Sequence, residues 1–250
     1  ENFVNELNEL TSFVKKLKIP CYVIGVGLKE SYEPDFSQPK PQDEAVKKFV
    51  TAVLEKSNCI GVRGELTGKY LETLGFAEGR DFMVIGCPSM YMKGKRLHIQ
   101  NPKLDVNSKV CFNSNVAASV PTRKFIKLKM KEFENHYFIG QVVNELRSIY
   151  LGAPYEYKIE YNFRNVTDKI YQDGRLRFFC NVPKWMEFLN DSDLTFGSRL
   201  HGNIAAVLAG TPALLVTKDS RTRELAEYHH LNAIHESKLN EKLTLQELVE

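Results

Sequence analysis

Residues 193–224, DLTFGSRLHGNIAAVLAGTPALLVTKDSRTRE, form the stretch that decides the fold class. Two short apolar runs, at 194–197 and 212–216, are each followed by residues with helical spacing, at 202–208 and 221–228. A strand followed by a helix, twice in succession, is typical of parallel sheets, in which each helix crosses back over the sheet. We therefore predict two consecutive strand–helix units here.

The same alternation occurs upstream of this stretch. Strand-like apolar runs are found at 21–24, 59–62, 83–85, 109–112 and 137–140, and helical patterns at 3–17, 43–56, 66–74 and 142–150. We predict an α/β protein with two Rossmann-like domains that have parallel sheets and face each other across a cleft. The predicted N-terminal domain covers residues 1–120, and the C-terminal domain covers residues 121–250.

Composition and charge exclude several classes of protein. The 250 residues carry a net charge of +3, which is too small for a dedicated nucleic-acid binder. No run approaches the roughly 20 apolar residues of a membrane helix, and the first residues do not resemble a signal peptide. We expect a cytoplasmic protein without a transmembrane segment. His229, His230 and His235 lack a carboxylate or cysteine at metal-ligand spacing, so we predict a solvated helix end and no metal.

The turn from Ser198 to Gly202 is the strongest candidate for chemistry. It joins a predicted strand to a predicted helix, whose first amides favour an anion. Arg199 offers a bidentate fork, and His201 can donate a hydrogen bond or move a proton, while Leu200 completes the turn. The alternative interpretation is that Arg199 and His201 only cap and solvate the turn, and that Gly202 lets the helix pack closely.

Two other features of the sequence are candidate contacts for a ligand. Gly25 and Gly27 follow the first strand and are a possible phosphate cradle, although a tight turn explains them equally well. The basic run of Lys93, Lys95 and Arg96 is expected to be a solvated loop. Its alternative role is contact with an anionic, lipid-linked molecule at the inner face of a membrane.

The stretch GSRLHGNIAAVLAGTPALLV at 197–216 resembles the signature of the polysaccharide pyruvyl transferase family. In that signature an Arg-Leu-His or Arg-Tyr-His turn precedes a helix of small residues and a Gly-x-Pro strand entry. Two further stretches, IPCYVIGVGL at 19–28 and CIGVRGELTGKYLETLG at 59–75, are similar to other segments of the family. The resemblance thus covers most of the chain.

The resemblance implies a fold like that of GT-B glycosyltransferases and transfer of the enolpyruvyl unit of phosphoenolpyruvate, without a cofactor, to a sugar or lipid-linked oligosaccharide. It implies that Arg199 binds the donor and that His201 is catalytic, with Ser198, Leu200 and Gly202 around them. Arg63 matches an arginine at a strand-end turn of the family, which implies a second anion ligand. Its alternative role is a salt bridge to Glu65 or another nearby carboxylate.

The chain also departs from the family pattern. Cys87-Pro88 stands where the family has Asp-Pro, and Gly64 stands where it has an acidic residue. Nothing like the family's Gly-Asn-x-Gly-Asp turn occurs near Glu1, so we expect the N-terminal domain to be incomplete. Two rival functions are a glycosyltransferase of similar fold that uses a nucleotide sugar, and a non-catalytic remnant of the fold.

Overall fold

The computed structural model describes residues 2–115, 117–154, 163 and 165–249. Its α-helices are α1 (Asn2–Lys16), α2 (Asp43–Leu54), α3 (Glu65–Thr73), α4 (Val120–Met130), α5 (Val143–Leu151), α6 (Lys169–Gln172), α7 (Val182–Asn190), α8 (Leu200–Ala209), α9 (Ser220–Tyr228) and α10 (Leu245–Val249). Its strands are β1 (Ile24–Val26), β2 (Ile60–Val62), β3 (Phe82–Val84), β4 (Val110–Asn113), β5 (His136–Gly140), β6 (Leu176–Phe178), β7 (Leu194–Gly197), β8 (Ala213–Thr217) and β9 (Ala233–His235). None of the described helices is long and apolar enough to cross a membrane.

The chain forms two compact units, one of Glu1–Tyr91 with Asp219–His230 and one of Met92–Lys218 with Leu231–Glu250. Each unit contains one parallel sheet, so the predicted α/β class with parallel sheets is confirmed. The division differs from the predicted boundary near residue 120. The physical reason is that β4 lies between β5 and β7 and therefore belongs to the second sheet.

The first unit has a three-stranded sheet in the order β1-β2-β3. One face carries Ile60, Val62 and Phe82, which are buried against apolar residues of α2 and α3. The other face is open: Ile24 is 66% exposed and Met83 is 54% exposed. Within the described residues, β1 is an edge strand that pairs with β2 alone.

Helix α9 belongs to the first unit although it follows β8 of the second. The Ser220 hydroxyl donates to the Leu28 carbonyl (3.0 Å) and accepts from the Glu30 amide (2.9 Å). The buried Glu224 carboxylate accepts from the Thr67 amide (2.9 Å) and hydroxyl (2.7 Å). These bonds attach α9 to the carboxyl ends of the first sheet.

The second unit has a six-stranded sheet in the order β6-β5-β4-β7-β8-β9. The chain runs outward from β4 to β6 and returns to the other side of β4 with β7. Phenylalanines fill the core around these central strands, including Phe112, Phe125, Phe138 and Phe196. In open α/β sheets of this kind, the point where the strand order reverses is the usual ligand site. Here that point lies between the carboxyl ends of β4 and β7.

Candidate active site

The turn between β7 and α8 lies at this reversal point. β7 pairs with β4 up to Gly197 and Asn113, the last residue of each strand. The approach is so close that a Cβ added to Gly197 would lie 1.9 Å from the Asn113 carbonyl oxygen. Glycine is therefore required where the chain leaves β7, and Ser198 and Arg199 follow directly.

Arg199 is the N-cap residue of α8, and hydrogen bonds hold both its backbone and its side chain in place. Its backbone amide donates to Asn113 Oδ1 (2.8 Å), and its Nε donates to the Ser114 carbonyl. Its Nη2 lies 2.7 Å from Glu145 Oε1. The guanidinium is thus fixed across the ends of β4 and β7 and cannot swing freely.

Glu145 belongs to the first turn of α5, and its side chain is 0% exposed. One carboxylate oxygen binds Arg199, while the other accepts from the backbone amides of Gln141 and Val142 (3.0 Å for Val142). This carboxylate thus accepts hydrogen bonds from the amides at the amino end of α5 and also holds Arg199 in position. Charge-assisted bonds in a buried setting are strong and geometrically specific.

The other residues of the predicted turn have different environments. Ser198 is buried, and its hydroxyl accepts from the Asn115 amide (3.0 Å). Leu200 is buried in the unit's core, and Gly202 is buried in the first turn of α8. His201 is exposed at its surface. Arg199 makes no side-chain capping bond to α8.

Two side-chain amides beside this turn were not predicted from the sequence. Asn113 Nδ2 and Gln141 Nε2 are buried and have no hydrogen-bond partner in the structure. The polar run Asn113-Ser114-Asn115 directly after an apolar strand was a signal for the first of them. No comparable sequence pattern indicates Gln141, because only the order of the strands in the sheet brings this residue near the turn.

In the first unit, Gly25 and Gly27 lie at the carboxyl end of β1. Gly25 has φ +74°, and a Cβ there would lie 2.7 Å from the Pro88 ring. A Cβ on Gly27 would lie 2.9 Å from Arg63 Cδ and 3.0 Å from Glu224 Oε1. Close packing within the unit accounts for both glycines, and their role as a phosphate cradle stays a prediction.

Arg63 follows β2 and lies near Glu224. Its Nε is buried and has no hydrogen-bond partner within the described residues. Burial raises the pKa of Glu224, while the bonds from Thr67 and the charge of Arg63 oppose that rise. A Cβ on Gly64 would lie 2.6 Å from Glu224 Cβ, so Glu224 occupies the space in front of the position where the family has an acidic residue.

The prediction of a solvated helix end is wrong for His229, whose side chain packs against its neighbours. Its Nε2 accepts from the Cys87 amide (2.8 Å), and its ring lies edge-on to Tyr91 and Tyr228. Gly86, with φ +70°, makes room for it, since a Cβ there would lie 2.2 Å from Nε2. Burial lowers the pKa of His229, and the neighbouring His230 lowers it further.

Two further features of the described residues concern metal binding and cavities. No group of three or more His, Cys, Asp and Glu side chains there could hold a metal ion. A cavity of about 570 Å³ lies beside the start of β5, and its described lining comprises Lys127, Met130, Lys131, His136, Asp168, Lys169, Ile170 and Asp173. None of the residues 198–202 is in that lining.

Comparison with protein families gives one match that covers most of the chain. The model of the family described as polysaccharide pyruvyl transferase matches residues 5–220. The chain belongs to the polysaccharide pyruvyl transferase family. Members of this family are transferases, and the Arg199–His201 turn lies inside the matched region of this pyruvyl transferase family member.

Two solved structures show distant similarity to this pyruvyl transferase family member. A structure titled as a putative UDP-N-acetylglucosamine 2-epimerase from Listeria monocytogenes is 12% identical, with a TM-score of 0.47, and the match covers 98% of this chain and 66% of that one. A structure titled as the glycotransferase of kitacinnamycin is 11% identical, with a TM-score of 0.38, covering 86% and 54%. The chain thus spans less than two thirds of either structure. No curated protein matches it.

Proposed function

We propose that this protein transfers the enolpyruvyl group of phosphoenolpyruvate to sugar hydroxyls and forms a pyruvate ketal during surface polysaccharide biosynthesis. Family membership supports a pyruvyl donor and a sugar acceptor. The observation that carries the proposal is Arg199, which a buried carboxylate fixes at the strand reversal point, next to the exposed His201. The proposed acceptor is a sugar or a lipid-linked oligosaccharide.

The donor carries a carboxylate and a phosphate, so its site must stabilise two anionic groups. The amino end of α8 supplies backbone amides and the positive end of the helix dipole, and Arg199 supplies a cation already aligned by Glu145. Since Glu145 aligns the guanidinium before the donor binds, little reorganisation is needed during the reaction. Arg63, in the first unit, is proposed as a further anion ligand.

The proposed reaction balances without a cofactor. One sugar hydroxyl gives up its proton and adds to C2 of phosphoenolpyruvate, forming a C–O bond, while the methylene carbon gains a proton and becomes a methyl group. A second hydroxyl of the same sugar then displaces phosphate, the C–OP bond breaks, and the hydroxyl proton leaves with inorganic phosphate. His201 is the proposed general acid or base, a role that typically contributes about 100-fold to 10,000-fold.

The test is phosphate release from phosphoenolpyruvate with a panel of model and lipid-linked sugars. Arg199→Lys keeps a cation but loses the planar fork, so we expect kcat/KM to fall at least about 100-fold. His201→Gln should lower kcat about 100-fold or more and flatten its pH profile. His98→Gln, which replaces another exposed histidine of the same unit, should change neither quantity.

Two results would contradict the proposal. One is phosphate release that is unaffected by Arg199→Lys and by His201→Gln, with the folded state retained. The other is thermal stabilisation by a nucleotide sugar with none by phosphoenolpyruvate, which would favour the glycosyltransferase alternative.

A further inference from the structure

Two buried amide donors converge on the first turn of α8. Asn113 is 1% exposed; its Oδ1 accepts from the Arg199 amide, while its Nδ2 has no hydrogen-bond partner among the residues that the structure describes. Gln141 follows β5, and its Nε2 is also buried and has no partner in that part of the chain. A Cβ built on Gly202 would lie 3.2 Å from Asn113 Nδ2 and 2.5 Å from Gln141 Nε2. Both amides therefore point at Gly202.

An unpaired buried donor is costly to the folded protein. Each such group sacrifices the hydrogen bond that it would make with water, and nothing in the folded chain replaces that bond. Native proteins retain few of these groups, and one explanation is an oxygen atom supplied from outside the chain. Here two occur side by side, next to Arg199 and the amino end of a ten-residue helix.

We infer that Asn113 and Gln141 are oxyanion-binding residues, whose side-chain amides donate to the carboxylate or phosphate of the donor substrate. The inference rests on the proposed function and adds two neutral donors to the charged ones. Glu145 balances the charge of Arg199 locally, so neutral N–H groups are the means by which the site gains further donors without adding charge. A side chain at position 202 would displace the Gln141 amide from its place beside the turn, since a Cβ there would lie 2.5 Å from Gln141 Nε2.

The test separates binding from folding. Gln141→Met removes the donor and keeps the volume, so the unliganded protein should unfold at an equal or higher temperature, because an unsatisfied group is lost. Its Kd for phosphoenolpyruvate should rise about 10-fold to 100-fold. Asn113→Asp keeps the Oδ1 acceptor for Arg199 and replaces the donor by an oxygen, so it should weaken phosphoenolpyruvate binding at least as much.

Trp185→Phe is the control, because it removes another buried donor without a partner in the structure. It should leave the Kd for phosphoenolpyruvate unchanged. Titrations with inorganic phosphate and with pyruvate identify the group that the amides hold, since the affected anion should lose affinity in Gln141→Met.

The outcomes distinguish this inference from the proposed function. If both variants bind phosphoenolpyruvate as tightly as the parent, the inference is overturned while the transferase proposal stands. A lower unfolding temperature of Gln141→Met with unchanged affinity would also overturn it, since the amide would then be structural. If phosphoenolpyruvate does not bind the parent, the proposed function fails. Its assignment to the donor substrate then fails too, and the assignment of the two amides as oxyanion ligands holds only if inorganic phosphate binds the parent more tightly than Gln141→Met.

Discussion

The pair formed by Arg199 and Glu145 combines structural and chemical roles in two side chains. Buried ion pairs add little to stability over an apolar pair, but removal of one partner is strongly destabilising. Any variant at Arg199 therefore acts on folding as well as on binding. The structure thus favours conservative replacements for activity measurements.

For Arg199→Ala we expect a loss of about 3 kcal/mol in the free energy of unfolding, because Glu145 loses a buried cationic partner. Urea denaturation of the protein measures this change in the free energy of unfolding. Glu145→Gln should lose a similar amount, since its amide cannot accept from Arg199 and from two backbone donors equally well. If both variants have the same free energy of unfolding as the wild-type protein, the buried ion pair of Arg199 and Glu145 is contradicted.

The buried position of His229 should make the stability of the protein depend on pH. Burial holds the pKa of His229 below 6.5 in the folded state, so the folded chain binds fewer protons than the unfolded chain just below that pH. The free energy of unfolding should therefore fall as the pH drops below 6.5. His229→Gln should reduce this fall in urea titrations between pH 7.5 and 5.5.

The exposed neighbour His230 provides the matched control for this measurement. Because burial is the larger cause of the lowered pKa of His229, His230→Gln should retain most of the pH dependence. An equal reduction in both variants would mean that burial of His229 is not the origin.

At the scale of elements, β7, α8 and β8 were predictable because their apolar runs are continuous and the turn chemistry is local. The sequence of α4 does not predict a helix, because Arg123 and Lys129 interrupt its apolar pattern. In the structure both are buried; Lys129 lies 2.6 Å from Glu132 Oε1 and over the Phe125 ring. A buried, paired lysine cannot be told from a solvated one by periodicity.

The candidate site was predictable only in part, for a similar reason. Arg199 lies on a recognisable local turn, whereas Glu145 lies 54 residues earlier in the chain. Sheet order brings them together, and that order depends on long-range packing. Gln141 was not predicted for the same reason, although in the structure it lies beside the predicted turn.

The close approach of β4 and β7 yields a prediction for these elements. Gly197→Ala places a methyl group where the Asn113 carbonyl lies, so the strands must separate at the reversal point. We expect a loss of more than about 2 kcal/mol in the free energy of unfolding, together with loss of activity. Thr195→Val in the same strand removes a buried hydroxyl without a partner and should be neutral or stabilising. Equal effects of the two substitutions would contradict this account.

At the scale of the whole molecule, the chain passes between the two units three times, after residues 91, 218 and 230. The first unit is therefore discontinuous in sequence, and its sheet depends on α9 through bonds such as Glu224 to Thr67. We expect a fragment of residues 1–91 to lack a cooperative urea transition. The same fragment joined by a flexible linker to residues 219–230 should regain one. Cooperative unfolding of the shorter fragment would show that α9 is dispensable.

The open edge of β1 also affects how the protein behaves in concentrated solution. In the part of the chain that the structure describes, the outer side of β1 pairs with no strand, so its backbone beside exposed Ile24 and Val26 offers a template on which a strand from another molecule can add. Light scattering should therefore rise steeply with concentration. A lysine at position 24 should suppress that rise without altering turnover, and would be a practical aid to crystallisation.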